Sequence, residues 1–452
     1  MERKENIREL VTDMVTEITA GREKSHILIR NVLDKYSYLP GHDRNFIKKV
    51  TEGTMERLVT IDYVLNSFSK VPVNKMKPFI RSLMRMSVYQ ILYLDKVPDS
   101  AACNEAVKLA QKRGFSQLKA FVNGVLRNVV RNKCAVTFPD KEADLKKYLS
   151  VTYSMPETIV ALLITQYGAE DIETILNGYL MERPVCVRLL QNLSAEQKDM
   201  VLQNWAALGM EVKKHPWLPY AYELYQVGNL KEDENFNAGL YTVQDVSSML
   251  VGEIAGIRKD DYIVDVCSAP GGKALHACDK LEGTGCVDAR DVSDYKASLI
   301  LENKERLHAE NLSVKVWDAR IKDEDAEGKA DIVLLDIPCS GLGVIGRKPD
   351  IKYRLQETSF AELTVLQKEI ADAVAGYVKP GGTLIYSTCT LRKEENEQMV
   401  SYITEKYGFT LESLNPYLPK ELHNSDTTKG YLTLLPTDKS DGFFMARLIR
   451  NN

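Results

Sequence analysis

The sequence predicts a multidomain protein in which an all-α N-terminal region precedes a small α/β module and a doubly wound α/β region. The chain has 452 residues, enough for two or three domains. Apolar residues in its first part recur with the 3.6-residue period of helices, whereas from about Phe236 apolar strands alternate with helices. Apolar residues make up 44% of the chain and charged residues 27%, which excludes a mainly disordered protein.

The first 140 residues predict an all-α domain. Two segments carry apolar residues at helical spacing, and Pro78 opens the first of them at a position that favours a helix start. The apolar positions are Ile80, Leu83, Met84, Val88, Ile91 and Leu92 in one segment, and Leu118, Phe121, Val122, Val125, Leu126 and Val129 in the other. No alternation with a period of two is present here, so no strand is expected.

This helical region is basic, although the whole chain has a formal charge of −4. Residues 1–140 contain 24 Lys and Arg against 15 Asp and Glu, and the remainder contains 35 against 48. A basic region on an acidic chain is a candidate polyanion-binding surface, but a well-solvated helical face explains the charge excess equally well. The residues that would make such contacts are Arg81, Arg85, Lys119, Arg127 and Arg131.

Residues 141–235 predict a small α/β module. Its predicted helices are 156–167, 170–181 and a third that runs from the N-cap residue Ser194 toward Leu208. Its predicted strands are 185–190 and 210–213.

Residues 236–452 predict a Rossmann-like, doubly wound parallel sheet. The predicted strands are 262–266, 285–288, 314–317, 331–335 and 383–387, with helices over 294–308 and 360–378. Ligands of such sheets bind outside the carboxyl ends of the strands. Residues that directly follow the strands are therefore the candidate functional residues.

The segment after the first of these strands has the composition of a nucleoside-binding turn. Its glycines let backbone amides approach a ligand, and the N-terminus of the following helix favours negative charge. Asp288, predicted to end the second strand, is suited to accept hydrogen bonds from a ribose diol, and Asp318, after the third, to reach an adenine amino group. The candidate cofactor-binding residues are Cys267, Ser268, Ala269, Pro270, Gly271, Gly272, Lys273, Asp288, Asp318 and Asp336.

The glycine spacing favours a compact nucleoside ligand, such as S-adenosylmethionine, as the cofactor. The turn has no G-x-G-x-x-G pattern, and no Walker lysine is followed by Ser or Thr. Both absences disfavour a dinucleotide or a nucleoside triphosphate. A Rossmann dehydrogenase is therefore only a distant alternative.

Two cysteines, Cys339 and Cys389, lie in the segments that follow two of the predicted strands. A lone cysteine is usually a small buried group, but two of them at adjacent strand ends, together with Asp336, converge on the predicted cofactor site. A thiol beside a methyl donor is suited to the methylation of a pyrimidine carbon. Attack of the thiolate on carbon 6 of cytosine makes carbon 5 nucleophilic, and carbon 5 can then take the methyl group. A carboxyl group near ring nitrogen 3 favours this addition.

Three segments together resemble the Sun family of RNA 5-methylcytosine methyltransferases. They are Cys267–Lys273, Asp336-Ile337-Pro338-Cys339-Ser340-Gly341 and Thr388-Cys389-Thr390. Segments 342–353 and 241–248 extend the resemblance, and residues 81–94 and 118–131 resemble a NusB-like RNA-binding domain. Ile337 stands where alanine is usual in the family, and Thr390 replaces a common serine while keeping its hydroxyl.

The resemblance implies a role for each site residue. Cys389 corresponds to the nucleophile and Cys339 to the residue that assists proton removal or product release, an assignment that spacing alone leaves open. Asp336 is the carboxylate that faces the base, and Lys273 lies near the reaction centre. The combination with a NusB-like domain implies a substrate cytosine in 16S ribosomal RNA, held in part by the basic residues of the N-terminal region.

Two alternatives stay open at this point. One is a 5-methylcytosine methyltransferase that acts on transfer RNA or 23S ribosomal RNA. The other is a non-catalytic RNA-binding factor, against which the two cysteines argue. The eight cysteines form no C-x-x-C pair and do not cluster with the six histidines, so no metal site is expected. No apolar run approaches about 18 residues and the charged N-terminus lacks a secretory signal, so we expect a cytoplasmic protein without a membrane partner.

Overall fold

The computed structural model describes residues 5–452. The charged N-terminus, at which the sequence predicts no secretory signal, lies partly outside these residues. The α-helices are α1 (Ile7–Thr19), α2 (Ser25–Lys35), α3 (Gly41–Glu56), α4 (Leu58–Phe68), α5 (Pro78–Tyr93), α6 (Asp99–Lys112), α7 (Lys119–Asn132), α8 (Leu145–Thr152), α9 (Glu157–Gly178), α10 (Ala195–Ala207), α11 (Glu234–Asn237), α12 (Val246–Ile254), α13 (Gly272–Lys280), α14 (Asp294–Arg306), α15 (Ile351–Arg354), α16 (Glu357–Val374), α17 (Glu397–Tyr407) and α18 (Ser425–Lys429). None of the helices in residues 5–452 has both the length and the apolar character that a membrane span requires.

The β-strands follow the helical N-terminal part of the chain. They are β1 (Val185–Leu189), β2 (Glu211–Lys214), β3 (Ala221–Tyr225), β4 (Tyr241–Val243), β5 (Tyr262–Asp265), β6 (Cys286–Asp291), β7 (Leu312–Val316), β8 (Ala330–Asp336), β9 (Val378–Thr388), β10 (Phe409–Leu411), β11 (Tyr431–Leu434) and β12 (Phe443–Arg450). The chain forms two compact units, of which the first comprises the residues up to Leu180 with Ile345–Leu355 and the second comprises 181–344 with 356–452. The boundaries predicted at residues 140 and 235 stay predictions.

The first unit is all-helical, as predicted. Helices α5 and α7 cover the two segments with helical apolar spacing, and their apolar faces lie in one core that also takes side chains from α1, α3, α4 and α6. The long helix α9 is interrupted at Gly168, whose φ of +84° separates the two helices predicted on either side of it.

A distant segment completes this helical unit. Residues 345–355 follow Cys339 by only a few positions, yet they belong to the first unit. Lys352 is buried and its Nζ donates to the carbonyl oxygens of Glu56, at 2.7 Å, and Ser154, at 2.6 Å, just where α3 and α8 end. An ammonium at helix C-termini binds carbonyl groups that have no partner within the helix.

The second unit contains two sheets. The smaller is antiparallel, in the order β2-β3-β1-β4, and packs on α10 through Trp205, whose ring lies edge-on to Tyr241 at 4.9 Å. Ser194 caps α10 with a capping box, as its position predicts. Strands β3 and β4 were not predicted from the sequence.

The larger sheet is Rossmann-like. Strands β7-β6-β5-β8-β9 are parallel and form the predicted doubly wound core. Beyond β9 the sheet continues with antiparallel β12, which pairs with β10 and β11, so the whole sheet is mixed. The strand order reverses between β5 and β8, and the carboxyl ends of such neighbouring strands form the ligand crevice of doubly wound sheets.

Candidate functional site

The predicted cofactor turn connects β5 to α13 at this crevice. Gly271 is the N-cap of α13 and has a φ of +101°, a backbone conformation that favours glycine. A Cβ atom here would lie 3.2 Å from side-chain carbons of both Ile300 and Leu275. The Gly271 N–H donates to the Ser268 carbonyl at 2.7 Å. Any larger residue at 271 would therefore be both strained and crowded.

The prediction that Asp288 ends its strand is wrong, because β6 continues to Asp291. In the parallel register Asp288 lies opposite Val264, within the strand pair and short of its carboxyl end. Its buried carboxylate accepts hydrogen bonds from Arg290, at 2.6 Å, and Lys315, at 3.2 Å. Asp288 is thus a paired residue of the sheet interior.

Asp291 occupies the strand end that was expected for Asp288. Its Oδ2 accepts a hydrogen bond from the Ala269 N–H at 2.9 Å, and its Oδ1 one from the Val292 N–H at 2.8 Å. Lys296 pairs with the same carboxylate at 2.9 Å. The apolar pattern of the sequence does not indicate Asp291, because the strand that it predicts ends three positions earlier.

Asp318 lies two residues beyond β7 and lines a cavity of about 280 Å³. Hydrogen bonds from Arg320, the closest at 2.6 Å, lower the pKa of the Asp318 carboxyl. The cavity brings together residues from the ends of several parallel strands and from α16, among them Cys267, Asp291, Trp317, Asp318, Pro338 and Leu366. A mainly apolar cavity with a few carboxylates is a common form of small-molecule site.

Asp265, the last residue of β5, is a further acid at this crevice that was not predicted from the sequence. It is 1% exposed, and among the described residues no donor reaches either carboxylate oxygen at hydrogen-bond distance and angle, although the nearby Ser268 side chain and the Lys273 ammonium both act to lower its pKa. Burial raises the pKa of Asp265 to about 7. Because buried carboxylates normally have partners, this one fits a ligand that brings hydrogen-bond donors or positive charge, as S-adenosylmethionine does.

Lys273 and Asp336 form an ion pair between the first turn of α13 and the end of β8. The Lys273 Nζ lies 2.6 Å from Asp336 Oδ2, and the Ser387 hydroxyl donates to Oδ1 at 2.7 Å. Burial acts to lower the pKa of Lys273, but the attraction of Asp336, together with Asp265 and Cys389, outweighs it and raises the pKa above its ordinary value. Lys273 is therefore a charged ammonium. The hydrogen bonds from Lys273 and Ser387 fix the orientation of the Asp336 carboxylate.

The two predicted cysteines come together, with their sulfur atoms 3.3 Å apart. Cys339 lies in the loop after β8, and Cys389 directly follows β9. The hydrogen bond with Cys389 and burial raise the pKa of Cys339 well above its ordinary value. These surroundings favour the protonated form of Cys339. Ile337, the residue that departs from the family pattern, is buried in the core beneath this loop.

The structure divides the predicted polyanion-binding residues of the helical unit. Lys119, Arg127 and Arg131 are exposed along α7, and Arg81 is half-buried on α5. Arg85 is buried, and its guanidinium makes two hydrogen bonds, of 2.6 and 2.7 Å, to the carboxylate of Asp62 on α4. The prediction that Arg85 binds a polyanion at the surface is wrong, because its guanidinium is buried and paired with Asp62.

Comparisons with known proteins agree with this architecture. The family model described as 16S rRNA methyltransferase RsmB/F matches residues 254–449, and the NusB family model matches residues 5–131. A probable ribosomal RNA small subunit methyltransferase B from Bacillus subtilis is 34% identical, over 99% of both chains. A ribosomal RNA small subunit methyltransferase B from Klebsiella pneumoniae is 29% identical over 100% of this chain and 99% of its own.

Solved structures share the fold. The crystal structure of PH0851 matches with a TM-score of 0.80 and 22% identity, over 99% of this chain and 100% of its own. NSun6 from Pyrococcus horikoshii, whose structure was determined with SFG, matches with a TM-score of 0.56 and 21% identity, over 66% of this chain and 98% of its own.

The doubly wound sheet, the glycine turn after its first parallel strand and the matching relatives define an S-adenosylmethionine-dependent methyltransferase. The chain belongs to the RsmB/F family, and it carries an N-terminal NusB domain.

Proposed function

We propose that this protein transfers a methyl group from S-adenosylmethionine to carbon 5 of a cytosine in 16S ribosomal RNA, through a covalent bond between Cys389 and the base. The observation that carries the proposal is the pair of sulfur atoms 3.3 Å apart, next to the Lys273–Asp336 ion pair. A methyltransferase that acts on a nucleophilic nitrogen or oxygen needs no thiol, whereas carbon 5 of cytosine must first be activated.

The surroundings of the two thiols support Cys389 as the nucleophile. Cys339 keeps its proton, because the hydrogen bond to Cys389, burial and the charges of Glu395 and Asp336 raise its pKa. Its S–H group can therefore donate to the sulfur of Cys389. The Lys273 ammonium interacts electrostatically with Cys389, which favours a negative charge on that sulfur.

The proposed reaction uses each of these groups once. The Cys389 thiolate forms a bond to carbon 6, while Asp336 faces ring nitrogen 3 and is oriented by Lys273 and Ser387. S-Adenosylmethionine, when bound, supplies an electrophilic methyl group, and carbon 5 attacks it. The proton of carbon 5 then passes to a water molecule, with Cys339 assisting this release, and the carbon–sulfur bond breaks with its electrons returning to Cys389. The products are the methylated base, S-adenosylhomocysteine, a proton and the free Cys389 thiolate.

The proposed substrate rests on the relatives and on the helical unit. Full-length relatives carry the name ribosomal RNA small subunit methyltransferase B, and the NusB domain exposes basic side chains along α7. Methylation of separated 16S, 23S and transfer RNA by the full-length protein tests this part. We expect 5-methylcytosine in 16S RNA only, and its appearance in another RNA class instead would contradict the proposed substrate.

The covalent step is tested with Cys389→Ala and Cys339→Ala. Both variants should lose turnover, so the measurement is the protein–RNA adduct that survives denaturing electrophoresis after incubation with radiolabelled RNA and S-adenosylmethionine. Cys389→Ala should form no adduct, since no sulfur attacks carbon 6. Cys339→Ala should accumulate the adduct, because attack and methyl transfer proceed and elimination stalls. An adduct in Cys389→Ala but none in Cys339→Ala would exchange the two roles.

A further inference from the structure

Two adjacent residues, Glu395 and Asn396, contact the loops of both thiols. They lie just before α17, and both side chains are fully buried. Neither was singled out from the sequence. Glu395 contacts the loop of Cys339, and Asn396 contacts the loop of Cys389.

The Glu395 carboxylate accepts hydrogen bonds from three N–H donors. Its Oε2 accepts from the Ser340 backbone N–H, at 2.9 Å, and from Gln367 Nε2, at 3.0 Å. Its Oε1 accepts from Arg392 Nη1 at 3.2 Å. Gln367 Nε2 also donates to the Pro338 carbonyl at 2.9 Å. The backbone is therefore held on both sides of Cys339.

Asn396 holds the other loop in the same way. Its Oδ1 accepts from the Thr388 hydroxyl at 2.6 Å, and its Nδ2 donates to the Thr390 carbonyl at 3.0 Å. These two residues flank Cys389. Asn396 is the N-cap residue of α17, yet its side chain makes no capping hydrogen bond to that helix. An N-cap hydrogen bond typically stabilises a helix, so the side chain forgoes a common stabilising contact in order to bind the thiol loop.

We propose that Glu395 and Asn396 are positioning residues that set the separation of the Cys339 and Cys389 sulfurs, with Gln367 as their support. The proposal rests on the proposed covalent mechanism for its link to catalysis. Because the two residues are neighbours in the chain, a shift of one thiol loop is transmitted to the other. The Ser340 and Thr390 hydroxyls, 2.6 Å apart, join the two loops directly. Reacting groups must be held within a fraction of an ångström. We call the hydrogen bonds from Glu395 and Asn396 to the two thiol loops the loop clamp. Weakening these hydrogen bonds therefore slows the reaction without removing any reacting atom.

Two variants disturb the loop clamp while keeping the size of the side chain. Glu395→Gln places an NH₂ group among partners that are all donors. Asn396→Asp places a carboxylate oxygen against the Thr390 carbonyl. Glu405→Gln makes the same carboxylate-to-amide change on the exposed face of α17 and serves as the matched control. Gln367→Met removes the support and is a further test if Glu395→Gln does not fold.

The first measurement is the rate at which diamide converts Cys339 and Cys389 into a disulfide, followed by mass spectrometry of the full-length protein. This rate reports the separation of the sulfurs and is independent of which RNA is methylated. We expect Glu395→Gln and Asn396→Asp to lower it about ten- to a hundredfold, with Glu405→Gln unchanged. Rates equal to that of the unmodified protein in folded variants would overturn the proposal.

The second measurement is steady-state methylation. We expect kcat to fall by a similar factor while KM for S-adenosylmethionine and for RNA stays constant, which a general loss of folded protein or of binding would not produce. A slower disulfide rate with an unchanged kcat would overturn the role in catalysis. If the unmodified protein methylates no cytosine, the proposed function fails, whereas the disulfide comparison still decides whether Glu395 and Asn396 set the thiol separation.

Discussion

The carboxylate of Asp291 accepts a hydrogen bond of 2.9 Å from the backbone N–H of Ala269, so the end of β6 and the glycine turn after β5 are joined directly. Asp288, three residues earlier on the same strand, turns instead to Arg290 and Lys315. One strand thus carries two buried acids with different surroundings.

The first prediction separates these two acids. Asp291→Asn should weaken the binding of S-adenosylmethionine, because a charged acceptor next to the turn is lost, at a cost of about 1.5–3 kcal/mol. Asp288→Asn should leave the affinity of the folded protein unchanged and lower its melting temperature, because Arg290 loses a buried partner. Isothermal titration calorimetry and thermal unfolding of both variants check this. Weakened binding in Asp288→Asn alone would return the cofactor role to Asp288.

The second prediction concerns the buried carboxyl of Asp265, whose pKa burial raises to about 7. An exposed aspartate in the unfolded chain has a pKa of about 3.9. Between these values the folded protein binds more protons, so this group makes the free energy of unfolding fall as the pH rises from about 4 to 7. Asp265→Asn removes that dependence. Without cofactor, the variant should therefore gain stability relative to the unmodified protein by a few kcal/mol over this interval.

Urea unfolding of the cofactor-free protein between pH 4.5 and pH 8 measures this difference. The same substitution should weaken cofactor binding, since the buried carboxylate of Asp265 lies beside the cofactor turn. Parallel pH curves for the two proteins would mean that Asp265 is ionised without penalty in the folded state.

The third prediction concerns Lys352 in the helical unit, whose pKa burial lowers to about 7. The unfolded chain binds more protons than the folded protein between about pH 7 and pH 10.4, so the free energy of unfolding should rise with pH over this interval. A neutral amine still has two N–H groups for the carbonyls of Glu56 and Ser154.

Lys352→Met should abolish the rise of the free energy of unfolding with pH. It should also destabilise the protein by about 1–3 kcal/mol for each carbonyl group that loses its hydrogen-bond donor. Lys348→Met, an exposed change in the same segment, is the control and should leave the pH dependence intact. Chemical unfolding at pH 7, 8.5 and 10 provides the comparison. An unchanged slope in Lys352→Met would show that the lysine stays charged when buried.

The sequence predicted those parts of the fold that a local pattern encodes. Helices α5 and α7 carry apolar residues with a helical period, and the parallel strands are short apolar runs between helices. Strand β12 was missed, because it pairs antiparallel with β9 and no helical segment separates it from β11.

The errors at the site come from contacts between residues that are distant in the sequence. Asp291 was missed because the end of a strand depends on its neighbours in the sheet. Arg85 has the helical spacing of a surface residue, but Asp62 on another helix pairs with it. Glu395 acts on Ser340, 55 residues earlier, and no local pattern indicates that contact. The cysteines were predicted correctly as neighbours, because parallel strands bring their carboxyl ends to one edge.

The last prediction tests whether the exposed basic face of α7 holds RNA. If Lys119, Arg127 and Arg131 neutralise phosphates, the logarithm of the RNA affinity falls linearly with the logarithm of salt concentration, with a slope of roughly −0.7 for each contact on a single strand. Replacing all three residues with glutamate should flatten the slope by about 2.

A matched triple change in the second unit serves as the control and consists of Lys259→Glu, Lys322→Glu and Lys429→Glu. It alters the net charge equally and should leave the slope nearly constant, because local contacts rather than total charge release counterions. Filter binding of 16S RNA between 50 and 300 mM salt, roughly the range over which such slopes are resolved, measures both. Equal slopes for the two triple variants would mean that this face of α7 is only solvated.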